Sequence, residues 1–265
     1  METPGFKIVI KVLAALLLVF LYVPLAIIVL YAFNDSVAQA WPIKEFTAKW
    51  FGIAWRSPQV REALGNSLEV ATIATLFALA LGSAAAFAVH RFRFFGRNGV
   101  SFLLVLPIAL PGVVTGIALS TTFQTIGIPF GLWTIIIGHA TFCVVIAYNN
   151  VIARLRRLPR SPEEASADLG ADTWITFRRI TMPGMRTALL SGALLAFALS
   201  FDEIIVTVFT AGAGTQTVPL FVLAAMQRPT ELPVVNVLAI VLVVASVVPV
   251  YIAQRIAGAE SATLR

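Results

Sequence analysis

Residues 154–183 read Arg154-Leu-Arg-Arg-Leu-Pro-Arg-Ser-Pro-Glu-Glu-Ala-Ser-Ala-Asp-Leu-Gly170-Ala-Asp-Thr-Trp-Ile-Thr-Phe-Arg-Arg-Ile180-Thr-Met-Pro183. This polar stretch separates two long apolar runs, so its local grammar sets what kind of chain surrounds it. Ser161 is placed to cap a helix, with Pro162 at its first position and Glu164 at the third, the pattern of a capping box. Gly170 suits the left-handed position that closes a short helix. Asp172 or Thr173 can cap a second short helix carrying Trp174, Phe177 and Ile180 on one face, and Pro183 is expected to end it. The prediction is a helix, a tight turn and a helix, lying against a membrane rather than crossing it.

Outward from this loop the chain is apolar. Of 265 residues 59% are hydrophobic and 12% charged, with a mean hydropathy of +0.91. Soluble domains run about 45–50% apolar and about 25% charged, so the composition selects a membrane protein. Apolar runs fall at about 8–33, 66–90, 100–125, 131–154, 186–211 and 234–256. Each meets the roughly 20 residues needed to span a bilayer. Six spans leave no room for a sizeable soluble domain, so the expectation is one transmembrane domain over residues 1–265, with a loop at 155–185. The first run is too long for a signal-peptide core and is read as a retained span.

The basic residues are unevenly spread. With the N-terminus inside, 14 of the 19 Lys and Arg fall on the cytoplasmic side, and Lys44, Lys49, Arg56, Arg61 and Arg228 fall outside. That bias predicts cytoplasmic N- and C-termini. It also accounts for the net charge of +6 without a nucleic-acid partner. The lone Cys143 excludes an internal disulfide. The outer segment 34–65 carries Trp41, Trp50 and Trp55, which suits either an aromatic belt or a contact surface for an extracytoplasmic partner. Ser57-Pro58 reads as a helix start. Pro24, Pro107, Pro111 and Pro249 lie within spans, where they mark kinks along a path or packing bends.

Glu164-Ala165-Ser166, then Gly170, then Ile180-Thr-Met182-Pro183 resembles the EAA motif of ABC importer permeases, Glu-Ala-Ala-x3-Gly-x9-Ile-x-Leu-Pro. All spacings agree; Ser166 and Met182 depart mildly in type. The resemblance implies an all-α, binding-protein-dependent permease (MetI-like) fold in a bacterial inner membrane, crossed several times. It implies a coupling helix seated on a dimer of nucleotide-binding ATPase subunits, with Glu164, Ala165, Ser166, Gly170, Ile180 and Pro183 as coupling residues. It further implies a second, homologous permease subunit and an extracytoplasmic substrate-binding protein. Glu164 can cap its helix and meet a basic partner at once. The sequence has no Gly-x4-Gly-Lys-Ser/Thr segment, so no cofactor is expected here, and ATP and Mg²⁺ belong to the partner ATPase.

Asp202 and Glu203 stand inside the fifth apolar run, after Phe201. Charges at such depth are costly and point to function, or to pairing that holds helices together. Phe46-Thr-Ala-Lys-Trp50-Phe51, Asn66-Ser67, Leu106-Pro-Ile-Ala-Leu-Pro-Gly-Val-Val-Thr-Gly-Ile117 and the run from Leu199 to Pro219 resemble the permeases of spermidine/putrescine transporters, in particular the second of their two permease subunits. Carboxylates and aromatic faces both attract ammonium groups, which makes Phe201, Asp202 and Glu203 candidates for a polyamine path; the same pattern also serves other small solutes. His139, Asn149 and Asn150 read as hydrogen bonders between helices. An ion-coupled secondary transporter would show inverted repeats with interrupted helices, and none is evident. With two His and one Cys, no catalytic or metal constellation forms, so an enzyme is not expected.

Overall fold

The computed structural model describes residues 4–263, with side chains to Arg255. Within them regular structure is helical, apart from one antiparallel bridge between Asn34 and Phe46. In order the helices are α1 (Pro4–Ala32), α2 (Lys49–Arg56), α3 (Pro58–Arg91), α4 (Arg97–Ala109), α5 (Gly112–Thr125), α6 (Leu132–Leu155), α7 (Ser161–Asp168), α8 (Thr173–Thr176), α9 (Met182–Gly184), α10 (Arg186–Phe201), α11 (Ile205–Thr210), α12 (Val218–Ala225) and α13 (Leu232–Thr263). A π-helical turn, Phe177–Thr181, joins α8 to α9, and a 3₁₀ turn, Pro229–Glu231, precedes α13.

Four helical stretches are each long and apolar enough to cross a bilayer: Gly5–Ala32, Pro58–Arg91, Leu132–Leu155 and Pro229–Arg255. Two bent pairs bring the number to six if each is one span: Arg97–Ala109 with Gly112–Thr125, and Thr173–Gly184 with Arg186–Phe201. The third run, expected as one helix over about 100–125 with kinks or packing bends at Pro107 and Pro111, is instead two helices at 106°. Pro111 is the cause. A proline drives its predecessor out of the helical region, and Leu110 is extended at φ −82°, ψ 142°.

The chain forms two compact units, one from the chain up to Arg61 with Phe221–Val243, the other from Glu62–Leu220 with the chain from Val244. In the first, Trp50 is buried and its Nε1 donates to the Asn34 carbonyl at 2.7 Å. Lys49 pairs with Asp35 at 2.6 Å. Trp41 and Trp55 are exposed. The three tryptophans of segment 34–65 thus part company: one holds the segment together, and two are exposed.

The second unit is organised on α3 and α6. Val70, Ala74, Ala78, Gly82 and Ala86 recur every four residues and so share one face of α3. They pack on Ile135, Ile136, Phe142, Cys143, Ala147, Tyr148 and Val151 of α6. In lipid, helices associate through close van der Waals fit rather than a hydrophobic drive, and small residues permit it. At Gly82 a Cβ would meet the Val144 carbonyl and the Ala147 Cβ, each at 2.8 Å. At the other end of α3, Asn66 Nδ2 donates to the Gln216 carbonyl at 2.9 Å, and Ser67 Oγ accepts from the Val218 N–H at 2.8 Å. Those bonds fix the segment leading into α12. The Ser57-Pro58 start is found where expected: α3 begins at Pro58, and the Val60 N–H reaches Ser57 Oγ at 3.4 Å.

Candidate functional site

The loop between α6 and α10 is folded as two short helical pieces. Gly170 has φ +80°. Its N–H donates to the Ala167 carbonyl at 2.9 Å and the Ala171 N–H to the Ser166 carbonyl at 3.1 Å, the paired bonds of a Schellman closure. Asp172 caps the next helix, its Oδ1 accepting from the Ile175 N–H at 2.7 Å. Two local expectations are corrected. Ser161 is not the cap: Arg160 is already helical and accepts from the Glu163 and Glu164 N–H groups, each at 3.0 Å. Proline at position 162 is tolerated in the first turn, so the helix starts one residue early and Glu164 makes no capping box. Nor does Pro183 end the second piece. It lacks the N–H that Arg179 would accept, and the turn before it widens to π geometry, Met182 N–H reaching the Phe177 carbonyl. Helix then runs to Gly184, and the 62° bend into α10 falls at Met185.

The motif residues divide into outer and inner sets. Glu164, Ala165 and Gly170 are exposed, as are the neighbouring Leu169 and Trp174. Ile180 and Pro183 are half-buried. Ser166 Oγ lies 2.9 Å from Thr176 Oγ1, so the departure from the family's alanine ties α7 to α8.

Glu163, just ahead of the motif, carries a role that the motif spacing does not mark. Its carboxylate forms an ion pair with Arg91, the last residue of α3, and accepts from Thr181 Oγ1 at 2.6 Å. Nothing in the pattern separates Glu163 from Glu164; only the helix phase does, turning one inward and the other out. Beside this pair Phe87 meets Phe177 edge-on at 5.2 Å, and Phe177 stacks on Trp174 at 5.7 Å. Arg154 Nε donates to the Gly184 carbonyl at 2.8 Å, closing the base of the loop.

The fifth apolar run is broken. α10 ends at Phe201, residues 202–204 are not helical, and α11 resumes at Ile205. The expected continuous span 186–211 is thereby corrected, and the interruption falls on the two carboxylates. Glu203 Oε1 accepts from the Val206 N–H at 3.0 Å, satisfying the start of α11. Asp202 is exposed on this chain. Phe201 is buried and stacks on Phe197 at 5.8 Å.

A buried polar node supports the break. His139 of α6 places Nδ1 2.8 Å from Ser200 Oγ and Nε2 2.8 Å from Thr207 Oγ1. Thr207 Oγ1 gives its proton to the Glu203 carbonyl at 2.8 Å, so it accepts from His139. That assigns the Nε2–H tautomer, with Ser200 donating to Nδ1. One imidazole thus holds both halves of the span. A cavity of about 150 Å³ at the break is lined by Glu203, Val206, Phe142 and the α4–α5 bend at Leu110 and Gly112. The two interrupted spans meet there.

The family comparison agrees with these elements. Residues 78–259 match the model described as "Binding-protein-dependent transport system inner membrane component". The putrescine transport system permease protein PotI of Escherichia coli K12 is 38% identical over 228 residues, covering 83% of this chain and 80% of that protein. The spermidine/putrescine transport system permease protein PotC of the same organism is 33% identical over 239 residues, covering 90% and 89%. A bacterial alginate ABC transporter, solved in complex with an alginate pentasaccharide-bound periplasmic protein, shares the fold at a TM-score of 0.72 and 16% identity, over 94% of this chain and 93% of that one. The chain belongs to the family of binding-protein-dependent transport system inner membrane components. It is an ABC importer permease, a transport subunit rather than an enzyme.

Proposed function

We propose that this permease moves a polyamine of the putrescine or spermidine class inward, with Asp202 as the carboxylate that meets the ammonium group. The observation that carries the reading is the break at residues 202–204. It lifts Asp202 out of helical hydrogen bonding on an exposed face, while Glu203 is occupied at the start of α11. Among the described residues Asp202 takes part in no ion pair, and a carboxylate within a span without a cationic partner points to cargo rather than packing. Identity of 38% and 33% to putrescine and spermidine/putrescine permeases supports the same class.

The positive-inside bias supports cytoplasmic termini and, with them, a cytoplasmic loop 155–185. There Glu164, Ala165, Ser166, Gly170, Ile180 and Pro183 form the seat of an ATPase dimer. Glu164 and Ala165 lie on the exposed outer set, Ser166 and Gly170 shape it, and Ile180 and Pro183 anchor it from within. ATP and Mg²⁺ are bound by that dimer. A second, homologous permease completes the passage, and an extracytoplasmic binding protein delivers the solute. Asp202→Asn tests the cargo role. Uptake of labelled putrescine by the reconstituted complex is expected to fall, with its ATPase still bound; unchanged kinetics would remove Asp202 from the path.

A further inference from the structure

We infer that Glu163, rather than the motif residue Glu164, is the positioning residue that transmits movement of the docking loop to the second span. The inference rests on the reading of loop 155–185 as the ATPase seat.

Glu163 sits at a three-way junction. Its carboxylate holds the Arg91 guanidinium at the end of α3 and the Thr181 hydroxyl in the π turn leading to α10. The side chain is 17% exposed, and Thr181 is buried. Phe87 and Arg91 are four residues apart, so they lie on one face of α3. The loop grips that face twice, through the Glu163 ion pair and through the Phe87–Phe177–Trp174 ring contacts. A helix is a stiff rod, and α3 has 34 residues, about 50 Å of it at 1.5 Å per residue. A push on α7 from outside therefore turns α3 as a lever, provided the grip at its end holds. The aromatic contacts can slide, whereas the ion pair with its added hydroxyl bond fixes position. Glu164, one residue on, faces solvent. The same linkage must run in reverse, since coupling between two sites is reciprocal.

The test uses the full complex, with its ATPase and binding protein, in proteoliposomes. Glu163→Gln and Arg91→Gln are each expected to lower putrescine taken up per ATP hydrolysed by about tenfold, with the ATPase still co-purifying. The exchange variant Arg91→Glu with Glu163→Arg is expected to recover to within about threefold of wild type. Wild-type ratios in the single variants overturn the inference. So does an exchange variant that stays uncoupled, or loss of the ATPase from the complex in step with uptake.

A wild-type complex that hydrolyses ATP yet takes up no putrescine overturns the polyamine reading alone. Glu163 is then decided by spin labels at Phe95→Cys and Asp168→Cys in a Cys143→Ser background. Both labelled positions are exposed, on the α3–α4 connection and on α7. The distance distribution is expected to be narrow in wild type and broad in Glu163→Gln; an unchanged distribution overturns the inference.

Discussion

Gly170 offers a perturbation whose size follows from backbone geometry alone. The residue holds φ +80°, and a Cβ placed on it would meet nothing within 4 Å. Substitution therefore introduces no clash, only the cost of a left-handed conformation. For alanine that cost is about 1–2 kcal/mol. The helix it closes, α7, has eight residues and no side-chain cap at its start. A helix this short is marginal in water and leans on its closure. A penalty of 1–2 kcal/mol corresponds to a factor of about 5–30 in the population of the folded turn, and apparent affinity falls by the populated fraction. The assay is titration of the purified ATPase onto the permease complex in nanodiscs. Gly170→Ala is expected to weaken binding about 5–30-fold. Gly170→Val should weaken it further, and Gly170→Asn should stay near wild type, since asparagine tolerates this region. If Ala binds as wild type does, the handed turn is not required for docking. If Asn is as weak as Ala, a side chain at 170 obstructs the partner and the backbone argument is wrong.

Three further outcomes follow from the packing. His139→Leu removes two bonds between helices, each worth about 0.6–1.7 kcal/mol in membranes; thermal unfolding in detergent should shift down, and an unchanged midpoint would show the node to be idle. Glu203→Gln keeps an oxygen for the Val206 N–H and should leave assembly intact, whereas Glu203→Leu should lower the yield of folded complex; equal yields would separate Glu203 from the start of α11. Gly82→Val forces α3 away from Val144 and Ala147 and is expected to cost about 1–3 kcal/mol or more, read as loss of monodisperse protein on size-exclusion chromatography; a normal profile would mean α3 can shift without loss.

Much of this architecture is legible in the residues because it depends on local rules. Gly170 and Asp172 announce a turn and a cap through their own side-chain chemistry, and both stand where expected. The capping box failed for a different reason: Pro162 fits at either of two positions in a first turn, and Arg160 took the helical conformation that Ser161 was expected to precede. The breaks were harder to see. Hydropathy sums transfer energies and is blind to dihedrals, so 100–125 and 186–211 look continuous although Leu110 is extended and residues 202–204 are not helical. Pro111 carried a hint of the first break. The second has no proline; there Glu203 ties its carboxylate to the N–H of Val206, and the bonds that stabilise the arrangement come from His139, more than sixty positions earlier. Pairing at that separation leaves no local trace. The choice between Glu163 and Glu164 is likewise one of helix phase, since both are acidic and adjacent and only packing against Arg91 and Thr181 tells them apart.

This chain is proposed to form part of an ATP-driven passage for a polyamine. The decisive measurement reconstitutes the permease with its sister subunit, ATPase and binding protein in proteoliposomes and follows labelled putrescine. Accumulation is expected to require ATP and the binding protein and to be depressed by Asp202→Asn. Hydrolysis without putrescine or spermidine accumulation, or accumulation indifferent to ATP, would contradict the proposal.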